Sequence, residues 1–204
     1  MTLILYDAVR SPNCERVHIA LHEKGIPYRR VTLNLANKEQ KRPAFLRLNP
    51  YGRVPVLVDE GLVLFESWII NEYLESKYPK PSLMPADPSL AAGSRLLIDY
   101  ALNYLQECYW PLRGEMRKAE GERNLDVIQQ NRKIIIDRLD HLETALGDKP
   151  YFLEIFSLAD IGIWPRLSRI EEYGALDSPR LPHLRQWLQR MQLRPSVQAV
   201  LTAD

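Results

Sequence analysis

The segment Asn49-Pro50-Tyr51-Gly52-Arg53-Val54-Pro55-Val56-Leu57-Val58-Asp59, continued by Gly61-Leu62-Val63-Leu64-Phe65-Glu66-Ser67, is what most constrains the fold of this chain. Its order of residue types predicts a turn, a strand, a tight hairpin, a second strand and a helix start. Pro55 stands where the first strand begins, a position at which the missing N–H costs the sheet no ladder bond. We expect a cis Val54–Pro55 bond, which would turn the N–H and C=O of Val54 outward, free to pair with an extended peptide. Glu66-Ser67 then opens the apolar run Trp68-Ile69-Ile70-Asn71-Glu72-Tyr73-Leu74. A helix N-terminus with bare N–H groups therefore lies one hairpin away from the strand edge, and a small extended peptide bearing a carboxylate fits both features.

Around this segment the chain alternates strand and helix signals. Leu3-Ile4-Leu5-Tyr6 reads as a strand buried on both faces. Ser11-Pro12 reads as an N-cap and first helical residue, and Gly25 with Pro27 as a stop, so a helix is expected over roughly 12–24. Tyr28 to Leu33 is a second strand, and the polar Asn34 to Pro43 a loop. Two parallel strands joined by a helix, with an appended antiparallel hairpin and a closing helix, predict a thioredoxin-like domain over residues 1–78. Residues 79–88 hold four of the chain's 15 prolines and read as a linker. Residues 89–204 read as all-helical. There, one long segment from Ser89 to about Lys118 places Leu97, Tyr100, Tyr104, Cys108 and Pro111 at spacings of three and four, with a kink expected at Pro111. A helix over roughly 124–147 follows, then one begun by the capping box Ser157-Leu158-Ala159-Asp160, then shorter helices at 181–191 and 196–201.

Composition adds mainly exclusions. With 27 basic against 26 acidic residues the net charge is +1, which gives no basis for direct nucleic-acid or membrane-surface binding. The apolar start without a basic leader, the lack of a long apolar run and the use of only two cysteines, Cys14 and Cys108, lead us to expect a cytoplasmic protein without a disulfide framework. His18 and His22 share a four-residue spacing, but no third ligand is apparent. No metal is expected, and both histidines are assigned to a solvated helix face.

Asn-Pro-x-Gly-x-Val-Pro-x-Leu followed at this distance by Phe-Glu-Ser resembles the glutathione-binding half of a glutathione transferase. The order of thioredoxin-like domain, proline-rich linker and helical domain with a Ser-x-x-Asp box is similar to the cytosolic superfamily from end to end. The resemblance implies glutathione as co-substrate, attack of its thiolate on a small electrophile, and a homodimer. Ser11 occupies the place of the activating serine of the theta, zeta and phi classes. A hydroxyl and a helix N-terminus both favour the anion, and a two-unit drop in thiol pKa requires only about 2.7 kcal/mol. Cys14, three residues on, is the rival, either as a mixed-disulfide site or as inert packing. The same resemblance gives Val54 the antiparallel backbone pair, Ser67 the γ-glutamyl carboxylate, Glu66 the α-ammonium group, and Lys41 and Arg53 the glycine carboxylate. The electrophile pocket is expected at Val9, Arg10, Tyr104, Cys108 and Pro111.

A second resemblance is to the stringent starvation protein A family, carried by residues 62–95 and by Lys149-Pro150-Tyr151-Phe152-Leu153 with Phe156-Ser157-Leu158. It implies a non-catalytic transferase-fold protein that associates with RNA polymerase. Ser11, the Lys41/Arg53 pair and Lys80, which replaces a histidine of that family, depart from it.

Overall fold

A computed structural model describes residues 3–202, so the outermost residues of both expected domains, 1–2 and 203–204, lie outside the described part. The chain divides into two compact units, one formed by residues through Leu83 together with those from Arg194 onward, the other by Met84–Leu193.

The first unit is built on four strands in the order β2-β1-β3-β4. Strand β1 (Leu3–Asp7) runs parallel to β2 (Tyr28–Thr32) and antiparallel to β3 (Val56–Asp59), which pairs antiparallel with β4 (Leu62–Phe65). The parallel crossover is supplied by helix α1 (Pro12–Glu23), which starts at the Ser11–Pro12 signal and is buried continuously from Cys14 to Leu21. Helix α3 (Ser67–Lys77) packs on it. The expected loop after β2 contains a 3-10 turn at Glu39–Lys41 and a single helical turn, α2 (Pro43–Leu46), which sinks Phe45 into the core. Its polar composition conceals this one apolar anchor. The last helix, α9 (Pro195–Leu201), returns to α1. Arg194 Nη2 reaches both Glu23 carboxylate oxygens at 2.9 Å, and Ser196 donates to the same group.

The second unit is helical. It comprises α4 (Pro88–Asp99), a π-helical stretch at Tyr100–Tyr104, α5 (Leu105–Met116), α6 (Leu125–Leu146), α7 (Leu158–Glu172) and α8 (Pro182–Gln192). The register break of the long segment thus falls at Tyr100–Tyr104 rather than at Pro111, around which α5 continues. Helix α6 buries Ile128, Ile135, Leu139, Leu142 and Leu146, the spacing read from the sequence. Helix α7 is buried without interruption from Leu158 to Ile170. Its capping box is formed: Ser157 accepts from the Ala159 N–H, and Asp160 takes the Ser157 N–H at 3.0 Å. Gly162 permits α4 to lie close, since a Cβ there would sit 2.8 Å from Ile98 Cγ1.

Candidate functional site

Strand β1 ends at the fully buried Asp7, and Ala8-Val9-Arg10 turns the chain into α1. Arg10 holds this turn in the left-handed region, with φ 55°. Ser11 is the N-cap of α1 by its backbone, φ −87° and ψ 112°, yet its hydroxyl makes no capping bond. The simplest structural use of an N-cap serine is therefore absent. Cys14 lies one turn on with 1% of its surface exposed. Burial pushes its thiol up to about 12, against the opposing hydrogen bonds from the Ser11 side chain and the Ala8 backbone. A thiol with that pKa is protonated near neutrality and is a poor nucleophile.

Ala8, Cys14, Phe45, Val54 and Val56 form one hydrophobic cluster, with Phe65 packed against it. This cluster brings together segments far apart in the chain: the Ser11 turn, the Arg53–Val54 turn, and the end of β4 that delivers Glu66 and Ser67. The Val54–Pro55 bond is cis. The ladder begins only at Val56, so the main chain of Val54 lies outside the sheet pairing. Glu66 has φ 68° and ψ 111°, a conformation costly for a residue with a Cβ, of order 1–3 kcal/mol. Ser67, buried, is the first residue of α3. An unfavourable backbone angle immediately before a helix N-terminus is the kind of cost that binding sites retain.

Lys41 joins the same edge through Gly52. Lys41 Nζ donates to the Tyr51 carbonyl at 2.8 Å. A Cβ on Gly52 would come 2.7 Å from Gln40 O and 2.8 Å from Lys41 Nζ, and Gly52 has φ 58°. Glycine is needed on both counts. Arg53 follows, exposed, so both proposed anion partners lie on one turn system. Asn49 organises that turn. It accepts from the Tyr51 N–H at 3.0 Å and donates from Nδ2 to Arg53 O at 2.8 Å. Sequence reading gave Asn49 no role, although an Asx turn is the ordinary use of asparagine before such a glycine.

The remaining candidates are divided between the two units. Val9 is 46% exposed in the turn before Ser11. In the helical unit Tyr104 is exposed and stacks on Tyr100, and Pro111 is exposed. Cys108 is core: its Sγ donates to Leu105 O at 3.3 Å, and burial raises its pKa.

His18 is a correction. It is 7% exposed, not on a solvated face. Its Nε2 lies 2.7 Å from Asp7 Oδ2 and its Nδ1 2.6 Å from the Tyr28 hydroxyl. Burial alone would raise the Asp7 carboxyl, but hydrogen bonds from His18, Thr32 and Arg30 hold it below the usual range. Arg30 Nε lies 2.5 Å from the same oxygen. The hidden signal was the acid that ends β1, which needs partners when buried. Among the described residues no group of three or more His, Cys, Asp or Glu is placed to hold a metal ion.

Residues 1–76 match the family model of the glutathione S-transferase N-terminal domain, and residues 126–190 that of the C-terminal domain. The chain is 37% identical to maleylacetoacetate isomerase of Pseudomonas aeruginosa over 87% of this chain and 86% of that protein. The chain belongs to the cytosolic glutathione transferase superfamily. Within the superfamily it is also similar to a stringent starvation protein A homolog of Histophilus somni, at 35% identity over 80% of this chain and 72% of that protein. Among solved structures, the theta class glutathione S-transferase of Xanthomonas axonopodis pv. citri with glutathione bound matches with a TM-score of 0.85 at 29% identity, covering 98% of this chain and 97% of that one. As in that superfamily, a thioredoxin-like domain is followed by a helical one.

Proposed function

We propose that this chain is a glutathione transferase in which residues 1–78 bind the tripeptide and Ser11 holds its thiol as a thiolate for attack on a small electrophile. The observation that carries this reading is the shared cluster of Ala8, Cys14 and Val54, which sets the Ser11 turn beside the Val54 segment. The ligand's cysteine backbone pairs with Val54 N–H and C=O. Ser67 and the first N–H groups of α3 take the γ-glutamyl carboxylate, and Glu66 takes the α-ammonium group. Lys41 and Arg53 face the glycine carboxylate. The Ser11 hydroxyl donates to the sulfur, and the N-terminal end of α1 adds its partial positive charge. The nucleophile belongs to the ligand: a sulfur lone pair forms the new C–S bond while the leaving group departs with its bonding pair, or, in addition to an activated alkene, the π pair moves onto the activating group and is protonated by water.

The helical residues 89–204, reached through the linker 79–88, supply the electrophile side. Its exposed candidates are Tyr104 and Pro111. The acting species is a homodimer, and sedimentation at a single-chain mass near 23.7 kDa would remove that part of the proposal.

The similarity to the Histophilus somni protein favours one alternative, a non-catalytic binding protein of the stringent starvation protein A type, with RNA polymerase as partner. Passing a crude lysate over immobilised glutathione separates the two. Retention and elution by free tripeptide supports the transferase, whereas no retention together with co-purifying polymerase subunits supports the alternative.

A further inference from the structure

The face of α1 that carries Ser11 is keyed to β1 by a polar pair in the core. Ser11, Cys14 and His18 stand at spacings of three and four and so share one side of the helix. His18 Nε2 lies 2.7 Å from Asp7 Oδ2, and the Tyr28 hydroxyl, 2.6 Å from Nδ1, holds the other edge of the ring. Arg30, from β2, meets the same Asp7 oxygen at 2.5 Å. Asp7 closes β1 and is fully buried. Three neighbouring elements, β1, β2 and α1, thus meet at one carboxylate.

The turn that presents Ser11 is loosely closed by comparison. The Ser11 N–H donates to Ala8 O at 3.3 Å, beyond the usual range, and the Ser11 hydroxyl makes no capping bond. Packing of Cys14 in the cluster with Ala8 and Val54 holds α1 to the sheet, but apolar burial has no direction. A hydrogen bond has one, so the His18–Asp7 pair sets the rotation and height of the helix. His18 is two turns beyond Ser11, about 10 Å along the axis. Asp7 also follows Tyr6, the register partner of Val56, and Val54 lies only two residues before Val56. One end of β1 is therefore the common reference for the Ser11 hydroxyl and for the main chain of Val54. A buried charged network stabilises a fold little over apolar packing, and its best attested use is to fix register.

We propose that Asp7 and His18 are positioning residues for Ser11: their hydrogen bond sets how far the Ser11 hydroxyl stands from the sulfur of a thiol peptide paired at Val54. Both side chains are buried, so they act through the helix and the turn rather than on the ligand. Arg30 still pairs with Asp7 when His18 is replaced, so the effect of His18 can be read without leaving the acid unpaired.

The inference rests on the thiolate role of Ser11, and a double-mutant cycle tests it. The readouts are the thiol pKa of bound glutathione, by ultraviolet thiolate absorbance, and glutathione affinity, by calorimetry. His18→Asn is too short to reach Asp7 and should raise the bound thiol pKa by about half a unit to one unit, with affinity within about twofold of wild type. His18→Gln, whose amide reaches Asp7, should restore most of the shift. In a Ser11→Ala background His18→Asn should add nothing, because the two substitutions remove the same interaction. An unchanged thiol pKa in folded His18→Asn, a His18→Gln protein as perturbed as His18→Asn, or an equal rise with and without Ser11 would overturn the assignment while leaving Ser11 in its role. No glutathione binding to the wild type, or no effect of Ser11→Ala on the bound thiol, would overturn both readings. Should His18→Asn fail to fold by thermal melting, His18→Leu takes its place with the same criteria, since it fills the space without leaving a polar group unpaired.

Discussion

Lys41 Nζ and the carbonyl oxygen of Tyr51 are joined by a 2.8 Å hydrogen bond across the glycine that separates Tyr51 from Arg53. That bond holds a cation at the turn which presents Val54. Lys41→Ala should weaken glutathione binding by roughly five- to tenfold, about 1–1.4 kcal/mol, the size of one exposed charge-assisted contact, with little change in stability. Gly52→Ala should do more, because the added carbon meets Gln40 O and the Lys41 side chain at an unfavourable φ. We expect it to lower stability by about 1–3 kcal/mol and to reduce affinity further. Calorimetry and urea denaturation of both variants check this, and Gly52→Ala with wild-type affinity would contradict it.

Cys14 should be silent. With its thiol pushed up to about 12 in a closed core, the native protein should show no reaction at position 14 with a disulfide reagent at pH 8, and full reaction once unfolded. Cys14→Ser should leave turnover near wild type. A protein–glutathione mixed disulfide at Cys14, seen by intact mass, would instead make the protein a thiol transferase.

Asp160 should give stability an unusual pH dependence. Burial pushes its carboxyl from the ordinary 3.8 of an aspartate up to about 6, against the bonds from Trp187, Phe152 and Ser157. The folded chain therefore holds this proton more tightly than the unfolded one. Its contribution is fully present below about 4 and is lost as pH rises through 6, on the order of 3 kcal/mol. Asp7 and Asp59, held low by their partners, act in the opposite sense only below about 4. Urea midpoints for wild type and Asp160→Asn between pH 4 and 7 isolate this carboxyl's contribution. The wild type should lose stability across this window relative to the variant. The variant, whose amide N–H faces the Ser157 N–H, should be the less stable by about 1–3 kcal/mol at pH 4.5. Parallel curves would contradict the assignment.

Sequence reading reached the elements because their signals are local. Ser11–Pro12, the hairpin after Pro55 and the Ser157–Asp160 box each specify a helix or strand boundary through backbone chemistry within four residues. Long-range consequences were less visible. The burial of His18 depends on Asp7, Tyr28 and Arg30, contributed by two neighbouring strands, and a polar residue on an amphipathic helix looks the same whether its partner is water or a buried acid. The docking of α9 onto α1 rests on Glu23 and Arg194, which are 171 residues apart. Proline alone misplaced the irregularity in the long helix, since a π-helical turn has no comparably strong residue signature.

The central claim is that Ser11 stabilises the thiolate of bound glutathione. The most direct measurement is the pKa of that thiol, titrated by ultraviolet thiolate absorbance in the complex, for wild type and for Ser11→Ala. The account predicts a wild-type value below that of free glutathione. In Ser11→Ala the value should rise by one to two units, about 1.4–2.7 kcal/mol, with glutathione affinity nearly unchanged because Val54, Glu66, Ser67 and Lys41 still hold the peptide. A bound thiol pKa identical in the two proteins, or no glutathione binding to the wild type, would contradict it.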